Sequence, residues 1–312
     1  MRVAFLGNAP WSVPTLEALA DSHHDVAAVV TRTPRPAGRG GGLRRTPVAD
    51  AARTLGLPLH EVASANAGPG FDALVEAEPD ALLVVAYGEI VPRAVLEIPR
   101  LMPVNVHFSL LPELRGAAPV QRAILEGMTS TGVTTMKMDE GMDTGPILLQ
   151  ESEAIDPEGD AGSLGARLAA IGARLAVDTL DRLEAGALEP HPQDEARATV
   201  APKLKAEDEV VDWTRPAQEV VRRVLALAPS PGARTTFRGR TLKIHRARPG
   251  HADGIPKVTA PGSVVRASDD VLVVAAEGPV ILEEVQVEGR RRIGAAEFVR
   301  GYHPKPGEIL GT

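Results

Sequence analysis

Short apolar runs alternate with segments of helical spacing along the first 190 residues. In the longest such segment, Ser163–Gly186, apolar residues recur at three- and four-residue intervals, as on one face of a helix. Because apolar strands joined by helices favour parallel pairing, the pattern predicts an α/β fold with a doubly wound, mostly parallel, Rossmann-like sheet. The predicted strands are 2–7, 25–31, 81–87, 103–108, 132–138 and 145–153.

Turn and capping signals divide the segment that follows the second strand. Residues 32–45 are rich in Arg, Gly and Pro and show no period, which predicts a long exposed loop. Thr46 and Pro47 then have the character of an N-cap and a first helical residue, and Gly56 is placed to end that helix.

The pattern changes after about residue 190. Residues 191–206 are polar and proline-bearing with little period, which predicts a linker between domains covering 1–190 and 207–312. In the second domain, one helical segment precedes short alternating segments with turns, which predicts a small antiparallel OB-like β-barrel.

Composition places the chain among globular proteins. Of its 312 residues 44% are hydrophobic and 24% charged. No run reaches the ~18 apolar residues of a membrane span, and the first residues enter a strand-like run without the pattern of a signal peptide. Cysteine is absent, which excludes disulfides, thiolate zinc sites and cysteine nucleophiles. We therefore expect a cytoplasmic protein without a membrane partner.

Charge is unevenly distributed. The net charge is −7, but residues 201–312 carry a net +4 and residues 1–200 a net −11. Within the acidic part, Arg32–Arg53 contains six arginines and one aspartate. Segregated charge of this kind forms local attractive patches despite a negative total. Arg outnumbers Lys by 28 to 6, so arginine content alone is a weak indicator of function.

The usual cofactor motifs are missing. The first strand-to-helix turn, Gly7–Ser12, has Pro10 and Trp11 where a dinucleotide pyrophosphate requires bare backbone. Neither a P-loop nor a His-Glu-x-x-His cluster occurs in the sequence. The sequence therefore predicts neither a nicotinamide cofactor nor a metal.

Asn105 and His107 lie two residues apart at the end of a predicted strand, so their side chains share one face. An Asn amide donates to an oxygen that gains negative charge, and a His donates or accepts a proton near neutral pH. The next strand ends in a glycine-bracketed loop in which Asp139 or Asp143 is able to reach His107 and orient it. Residue spacing leaves the choice between the two open, and it leaves a loop-capping role open for Asn105 and His107.

Two further features flank this pair. Ser109, Leu110, Leu111 and Pro112 offer a hydroxyl, exposed backbone and apolar walls suited to a flat heterocycle, or form a plain connection. Arg115 is suited either to clamp an anion or to pair with a neighbouring acid.

The stretches NVHFSLLPELRGAAPVQRAI and GVTTMKMDEGMDTGPIL resemble the 10-formyltetrahydrofolate-dependent formyltransferases, whose signature combines an Asn, a His two residues on, Ser-Leu-Leu-Pro, Arg-Gly and an Asp loop. The residues Ala117–Gln121 are similar to members that formylate methionyl-initiator tRNA; other members act on amino sugars or other small amines. The resemblance covers nearly the whole chain.

The resemblance implies roles for particular residues. It assigns catalysis to Asn105, His107 and Asp143. It assigns folate contacts to Ser109, Leu110, Leu111 and Pro112, and tRNA contacts to Arg39, Arg44 and Arg45. It implies 10-formyltetrahydrofolate as co-substrate, initiator methionyl-tRNA as partner, and a C-terminal barrel that binds tRNA; we expect a monomer.

Three departures from the family pattern are visible. Trp11 occupies the aromatic place of an unusual first turn, Phe108 replaces a small residue, and Gly41-Gly42 stands where Lys-Lys is frequent. The alternatives are a formyltransferase for a small amine, which needs no Arg-rich loop, and a non-catalytic RNA-binding protein, in which Asn105 or His107 need not be kept.

Overall fold

The structure, a computed structural model, describes residues 1–37, 42–251 and 259–311. It contains two compact units. The first comprises Met1–Pro119, Ser130–Ala154 and Gly165–Pro202; the second comprises Val120–Thr129, Ile155–Leu164 and the chain from Lys203.

The first unit is built on a seven-stranded sheet in the order β5-β2-β1-β6-β7-β8-β9. Its strands, together with a separate two-stranded hairpin, are β1 (Arg2–Gly7), β2 (Asp25–Arg32), β3 (Arg35–Ala37), β4 (Gly42–Arg44), β5 (Leu59–Val62), β6 (Ala81–Val85), β7 (Met102–His107), β8 (Ser130–Lys137) and β9 (Ile147–Ala154). The helices of this part of the chain are α1 (Val13–Asp21), α2 (Pro47–Thr54), α3 (Pro69–Glu76), α4 (Arg93–Leu96), α5 (Pro119–Leu125) and α6 (Ala161–Glu184).

The sheet is mixed. The strands β5, β2, β1, β6 and β7 are parallel. β5 at the edge is half-buried, whereas the central β6 is fully buried, as expected for a strand covered on both faces. β8 runs antiparallel to β7, and β9 antiparallel to β8. The predicted Rossmann-like α/β core is therefore present, with two antiparallel strands added at one edge. The pattern of polar and apolar residues in these two strands does not indicate whether they pair parallel or antiparallel with their neighbours.

The helix α2 begins as the sequence predicts. The Thr46 hydroxyl accepts a hydrogen bond from the Ala49 backbone N–H at 3.0 Å, and Pro47 lies in the first turn. This confirms the predicted N-cap. The helix ends at Thr54, and Gly56 follows with a φ of 67°.

The segment 32–45 is not the plain loop that the sequence predicts. β3 and β4 pair antiparallel, with Arg35 opposite Arg44 and Pro36 opposite Leu43. These short strands are exposed, so no apolar alternation marks them in the sequence.

The second unit contains a six-stranded antiparallel sheet and two further helices. Its main path is β10-β11-β14-β13-β12, with β15 paired to β14. Among the described residues this path is open, so the predicted antiparallel sheet is present but closure into an OB-like barrel is not seen. The elements are α7 (Ala217–Leu227), β10 (Ala233–Phe237), β11 (Arg240–Pro249), β12 (Val264–Ala267), β13 (Val271–Val274), β14 (Pro279–Val287), β15 (Ile293–Gly294) and α8 (Ala295–Tyr302).

Helix α8 carries an aromatic cluster in the second unit. The Phe298 ring is fully buried and meets Phe237 edge-on, with ring centroids 5.2 Å apart. Tyr302 stacks on Phe298 at the same centroid separation. Because the chain has few aromatic residues, this cluster is a concentrated part of the unit's core.

No helix in residues 1–37, 42–251 or 259–311 combines the length and apolar character needed to cross a bilayer.

Candidate active site

Strand β7 positions the predicted Asn–His pair. Asn105 lies opposite Val84 of β6 on one side and Met136 of β8 on the other, near the middle of the sheet. Asn105 and His107 point to the same face, while Val106 points to the other, where its side chain lies beside Gly172 of α6. His107 is 6% exposed and Asn105 is half-buried.

The structure brings Asp143 to this pair. Its Oδ2 atom lies 3.5 Å from Nδ1 of His107, and its Oδ1 atom lies 3.5 Å from the Asn105 amide nitrogen. The Gly116 backbone N–H donates to Oδ2 at 2.8 Å, which holds the carboxylate in place. Asp139 has a different role, because its Oδ1 atom accepts hydrogen bonds from the Gly141 N–H and the Thr144 hydroxyl within its own turn.

The route by which Asp143 arrives differs from the sequence-based expectation. Two adjoining parallel strands would bring their ends together, but β8 is antiparallel to β7, with Lys137 opposite Val104. The loop after β8 therefore starts beside the middle of β7. It folds back over the sheet face to place Asp143 against Asn105.

A backbone carbonyl fixes the orientation of the imidazole. Nε2 of His107 lies 3.0 Å from the carbonyl oxygen of Leu114. A carbonyl only accepts, so Nε2 carries the proton and Nδ1 is the nitrogen that faces Asp143. Leu114 therefore fixes the tautomer, and Asp143 lies at the other ring nitrogen.

Two strained backbone positions adjoin His107. Leu114 has a φ of 59° and Asp143 a φ of 56°, values that non-glycine residues seldom adopt. Each costs of order 1–3 kcal/mol and persists where the surrounding contacts over-determine the backbone. Both residues contact His107, so the strain is concentrated where the site needs fixed geometry.

Residues from the predicted linker hold the Asp143 loop. The Gln193 amide nitrogen donates to the carbonyl oxygens of Asp143 and Gly145 at 2.8 and 2.7 Å. Its amide oxygen accepts two hydrogen bonds from the buried Arg115 guanidinium. The same guanidinium donates to Glu195, whose hydrogen bond raises the pKa of Arg115. In return, hydrogen bonding to Arg115 lowers the pKa of Glu195.

The backbone strengthens this attachment. The Arg115 N–H donates to Thr199, and the Ala201 N–H donates to Arg115, at 2.9 and 2.7 Å. The Thr199 hydroxyl also accepts from the Leu114 N–H at 2.8 Å. The chain beyond residue 190 is thus hydrogen-bonded to the residues that position His107.

The predicted folate loop is largely interior. Ser109, Leu111 and Pro112 are buried and Leu110 is half-buried. The Ser109 hydroxyl donates to the Glu113 carbonyl at 2.6 Å, which closes the turn that presents the Leu114 carbonyl.

Thr134 of β8 ties this loop to the sheet. Its hydroxyl donates to the Ser109 carbonyl at 2.7 Å and accepts from the Leu111 N–H at 3.1 Å. The Gln150 amide nitrogen donates to the Leu111 carbonyl at 2.8 Å. These contacts make the loop a rigid wall beside the Asn–His face.

Of the predicted tRNA contacts, Arg39 lies outside the described residues. Arg44 and Arg45 line a surface depression of 950 Å³ beside α2. Leu43 is the middle residue of β4. It is 72% exposed and lines the same depression. Arg45 also lies 3.5 Å from a carboxylate oxygen of Glu61.

Sequence reasoning missed the residues that support the site. Gln193 gave no signal because it lies in a polar, aperiodic segment, and the contributions of Leu114 and Gly116 come from backbone atoms. The Arg-Gly pair was singled out, but its partners, Gln193 and Glu195, are about 80 residues away in the chain.

Two family matches together cover most of the chain. Residues 1–180 match the formyl transferase family, and residues 203–303 match the formyl transferase C-terminal domain. The chain therefore belongs to the formyl transferase family.

Relatives that match over the whole chain are methionyl-tRNA formyltransferases. The chain is 46% identical to a methionyl-tRNA formyltransferase of Solibacter usitatus and 44% identical to one of Koribacter versatilis, each over 100% of this chain and 99% of the relative. Within the family, the chain groups with the methionyl-tRNA formyltransferases.

Solved structures share the fold at low identity. WlaRD, a sugar 3N-formyl transferase solved in the presence of dTDP and 5-N-formyl-THF, has a TM-score of 0.67 at 14% identity, covering 93% of this chain and 99% of that one. HypX from Aquifex aeolicus in complex with tetrahydrofolic acid has a TM-score of 0.64 at 18% identity, covering 100% and 50%.

Proposed function

We propose that this protein transfers a formyl group from 10-formyltetrahydrofolate to the free α-amine of methionyl-initiator tRNA. The observation that carries the proposal is the convergence of Asn105, His107 and Asp143 at one face of β7, in a chain 46% identical to a methionyl-tRNA formyltransferase. The amine attacks the formyl carbon directly, so no covalent enzyme intermediate is needed.

Asn105 and His107 stabilise the oxygen that becomes charged. An Asn amide has two N–H bonds, so one serves Asp143 while the other donates to the oxyanion. With Nε2 bound to Leu114, His107 in its charged form donates from Nδ1. The Asp143 carboxylate lies 3.5 Å from that nitrogen.

Proton movement follows from the same atoms. An α-amine has an ordinary pKa of about 7.7–8.0, so a neutral fraction is available for attack near neutral pH. When the new C–N bond forms, the attacking nitrogen becomes positively charged and must lose a proton, and Asp143 assists the transfer of that proton toward N10 of the folate. The C–N10 bond then breaks, the carbonyl re-forms, and formyl-methionyl-tRNA and tetrahydrofolate leave.

The co-substrate contacts remain part of the proposal. In the Ser109–Pro112 turn, Leu110 is half-buried while the other three residues are buried, so Leu110 is the side chain that we assign to contact with the folate ring. The folate ligands of WlaRD and HypX, members of the same fold, support a folate donor.

The tRNA contacts are proposed for the hairpin surface. Arg44 and Arg45 beside exposed Leu43 present cations and an apolar contact within one depression, a combination suited to phosphates and unstacked bases. The second unit, drawn mainly from the net-positive residues 201–312, is proposed to add contacts to the tRNA backbone.

Formyl transfer measured on a panel of acceptors tests the function. We expect labelled formyl from 10-formyltetrahydrofolate to appear on methionyl-initiator tRNA and not on amino-sugar nucleotides or free methionine. Preferential transfer to an amino sugar would replace the proposed acceptor while keeping the chemistry. Binding of tRNA without transfer to any acceptor would favour the non-catalytic alternative.

A further inference from the structure

A compact group of metal-ligating side chains lies in the first unit, and formyl transfer as proposed above makes no use of it. His23 and His24 form the turn between α1 and β2, and Asp181 lies on the last turns of α6. One ligand atom from each of these three residues lies within 4.8 Å of the others. The two histidines are adjacent, Asp181 lies more than 150 residues further along the chain, and no metal motif in the sequence links the three.

The distances fit a shared ion. Nε2 of His24 and Oδ1 of Asp181 are 3.0 Å apart, and Nδ1 of His23 is 3.8 Å from the same oxygen. Metal–ligand bonds of about 2.0 Å at a tetrahedral centre separate the ligand atoms by roughly 3.3 Å, between these two values. Two imidazoles and one carboxylate are ligands that zinc and its first-row neighbours accept.

Two atoms of the group have no hydrogen-bond partner in the part of the chain that the structure describes. The His24 side chain is 0% exposed, and neither its Nε2 atom nor Oδ1 of Asp181 has a hydrogen-bond partner among the described residues, although they lie 3.0 Å apart. A buried polar atom without a partner destabilises the folded protein. An ion bound to both atoms would remove that cost.

Glu184 is placed as an outer carboxylate. Nε2 of His23 lies 2.8 Å from Oε2 of Glu184, so donation of that N–H leaves Nδ1 unprotonated and turned toward Asp181. Metal-bound histidines commonly donate their second N–H to a carboxylate in this way. The same Oε2 lies 3.9 Å from Nδ1 of His24. The Met1 ammonium, which only donates, lies 3.3 Å from that Nδ1 and 2.8 Å from Oε1 of Glu184, so metal binding at Nε2 moves the His24 proton to Nδ1 and leaves the ammonium paired with Glu184.

We propose that His23, His24 and Asp181 bind a divalent first-row transition-metal ion, with Zn²⁺ as the representative. A surface depression of 490 Å³ that Asp181 and Asp178 line provides access for the ion and for a completing water. Bound there, the ion cross-links the α1–β2 turn to the C-terminal part of α6. Its role is to stabilise the first unit, separate from formyl transfer.

Titration with Zn²⁺ alone tests the site. Tag-free full-length protein, stripped with EDTA and returned to metal-free buffer, is titrated by calorimetry, and Co²⁺ is used to record the visible spectrum of an N/O-ligated ion. We expect one equivalent to bind and the melting temperature to rise with Zn²⁺ concentration, because the ion binds the native state. Absence of binding would overturn the proposal.

Matched variants identify the ligands. His23→Ala and Asp181→Asn change exposed side chains and should weaken Zn²⁺ binding at least about tenfold and remove the melting shift. His251→Ala, an exposed histidine of the second unit, is the control and should bind as the parent does. Parent affinity in both ligand variants, or equal loss in a control, contradicts the assignment.

His24→Gln supplies an independent check of the buried ligand. Its folding is verified by circular dichroism before titration, because His24 is interior. A folded His24→Gln protein that keeps parent Zn²⁺ affinity and the Co²⁺ spectrum would exclude His24 from the site and sink the three-ligand proposal. If this variant does not fold, the two exposed-ligand variants decide the outcome.

Discussion

At the scale of single residues, His107 is held by three different kinds of contact. A backbone carbonyl fixes one ring nitrogen, a carboxylate faces the other, and the ring itself is buried at the end of a central strand. This leaves the imidazole one orientation and one nitrogen for chemistry. Substitutions of its neighbours should therefore lower the rate of formyl transfer even in variants that still fold.

The first prediction concerns the proposed oxyanion donors. Asn105→Ala and His107→Ala should each lower kcat about 100- to 1,000-fold, because each removes a donor aimed at the developing charge. The measurement is single-turnover formyl transfer to methionyl-tRNA, with circular dichroism as the folding control. A pair of variants that both transfer at the parent rate would refute the mechanism.

The second prediction isolates the positioning role of Gln193. Gln193→Glu keeps an acceptor for Arg115 but loses both donations to the Asp143 and Gly145 carbonyls, so we expect kcat to fall about 10- to 100-fold. The KM for folate should change little. Gln193→Ala also loses the Arg115 contact and should melt at a lower temperature. A normal kcat in Gln193→Glu would show that the loop holds its position without this residue.

At the scale of elements, the β8–β9 hairpin depends on a close approach. A Cβ atom built on Gly145 would lie 1.8 Å from the Lys137 carbonyl oxygen, and this backbone atom cannot move aside as a flexible side chain could. Gly145 is therefore required by packing, and it lies two residues from Asp143. A change in the geometry of the loop should therefore also displace the Asp143 carboxylate.

The third prediction follows from that contact. Gly145→Ala should displace the loop, lower the free energy of unfolding by about 1–3 kcal/mol and reduce kcat. Gly301→Ala in α8 is the matched control, since nothing lies within 4 Å of its Cβ position, and it should be neutral or stabilising by about 0.5–1 kcal/mol. Urea denaturation and turnover are measured on both. Equal behaviour of the two variants contradicts the packing argument.

The fourth prediction concerns His245 on β11. Burial lowers its pKa below the ordinary 6.5, and its Nδ1 atom has no hydrogen-bond partner among the described residues. The unfolded chain therefore takes up a proton near pH 6.5 that the folded protein resists, so stability should fall as pH drops below about 6.5. His24, whose pKa burial also lowers, adds a slope of the same sign.

A variant separates the His245 contribution. His245→Gln keeps a donor for Gln286 at the position of Nε2 without a titrating group. We expect its unfolding free energy to depend less on pH between 7.5 and 5.5 than that of the parent protein. An identical pH dependence in the two proteins would remove His245 as a cause.

Elements differ in how far the sequence predicts them. Strands β1, β2, β6 and β7 and helix α6 follow from apolar runs and helical period because both faces, or one long face, are buried. The β3–β4 hairpin and helix α8 escape because exposed strands and short helices leave little pattern. The direction of β8 escapes as well, because pairing direction depends on chain topology that no local window contains.

The site shows the same division. Asn105 and His107 are predictable because a strand's period of two puts them on one face. Residue spacing alone leaves Asp139 and Asp143 equal, and family resemblance is needed to choose between them. Gln193 is out of reach of both arguments because its contacts join segments about 50 residues apart through backbone carbonyls.

At the scale of the whole molecule, the chain does not divide at one point in the sequence. The second unit includes Val120–Thr129 and Ile155–Leu164 as well as the chain from Lys203. A truncation at residue 203 would remove only part of that unit. Charge substitutions in the full-length chain are therefore the sounder test of tRNA binding.

Charge on the second unit is largely internal to it. Arginines on its strands and turns form ion pairs with nearby acids, which reduces their availability for phosphate. The pairs include Arg234–Glu209, Arg238–Glu308, Arg246–Glu283, Arg248–Glu283 and Arg266–Asp270. The β3–β4 hairpin carries Arg44 beside an open depression instead, so we expect it to contribute strongly to the salt dependence of tRNA binding.

The fifth prediction tests that expectation. Neutralising phosphates releases counterions, so the logarithm of tRNA affinity should fall linearly with the logarithm of salt concentration, with a slope of about −0.7 to −0.9 per contact. The double variant Arg44→Ala with Arg45→Ala should bind tRNA more weakly and with a shallower slope, while its KM for folate is unchanged. Arg93→Ala, an exposed arginine of α4 paired with Glu97, is the control and should keep the parent slope. If the double variant keeps the parent slope, the phosphate contacts lie elsewhere, and lysines of the second unit become the next residues to replace.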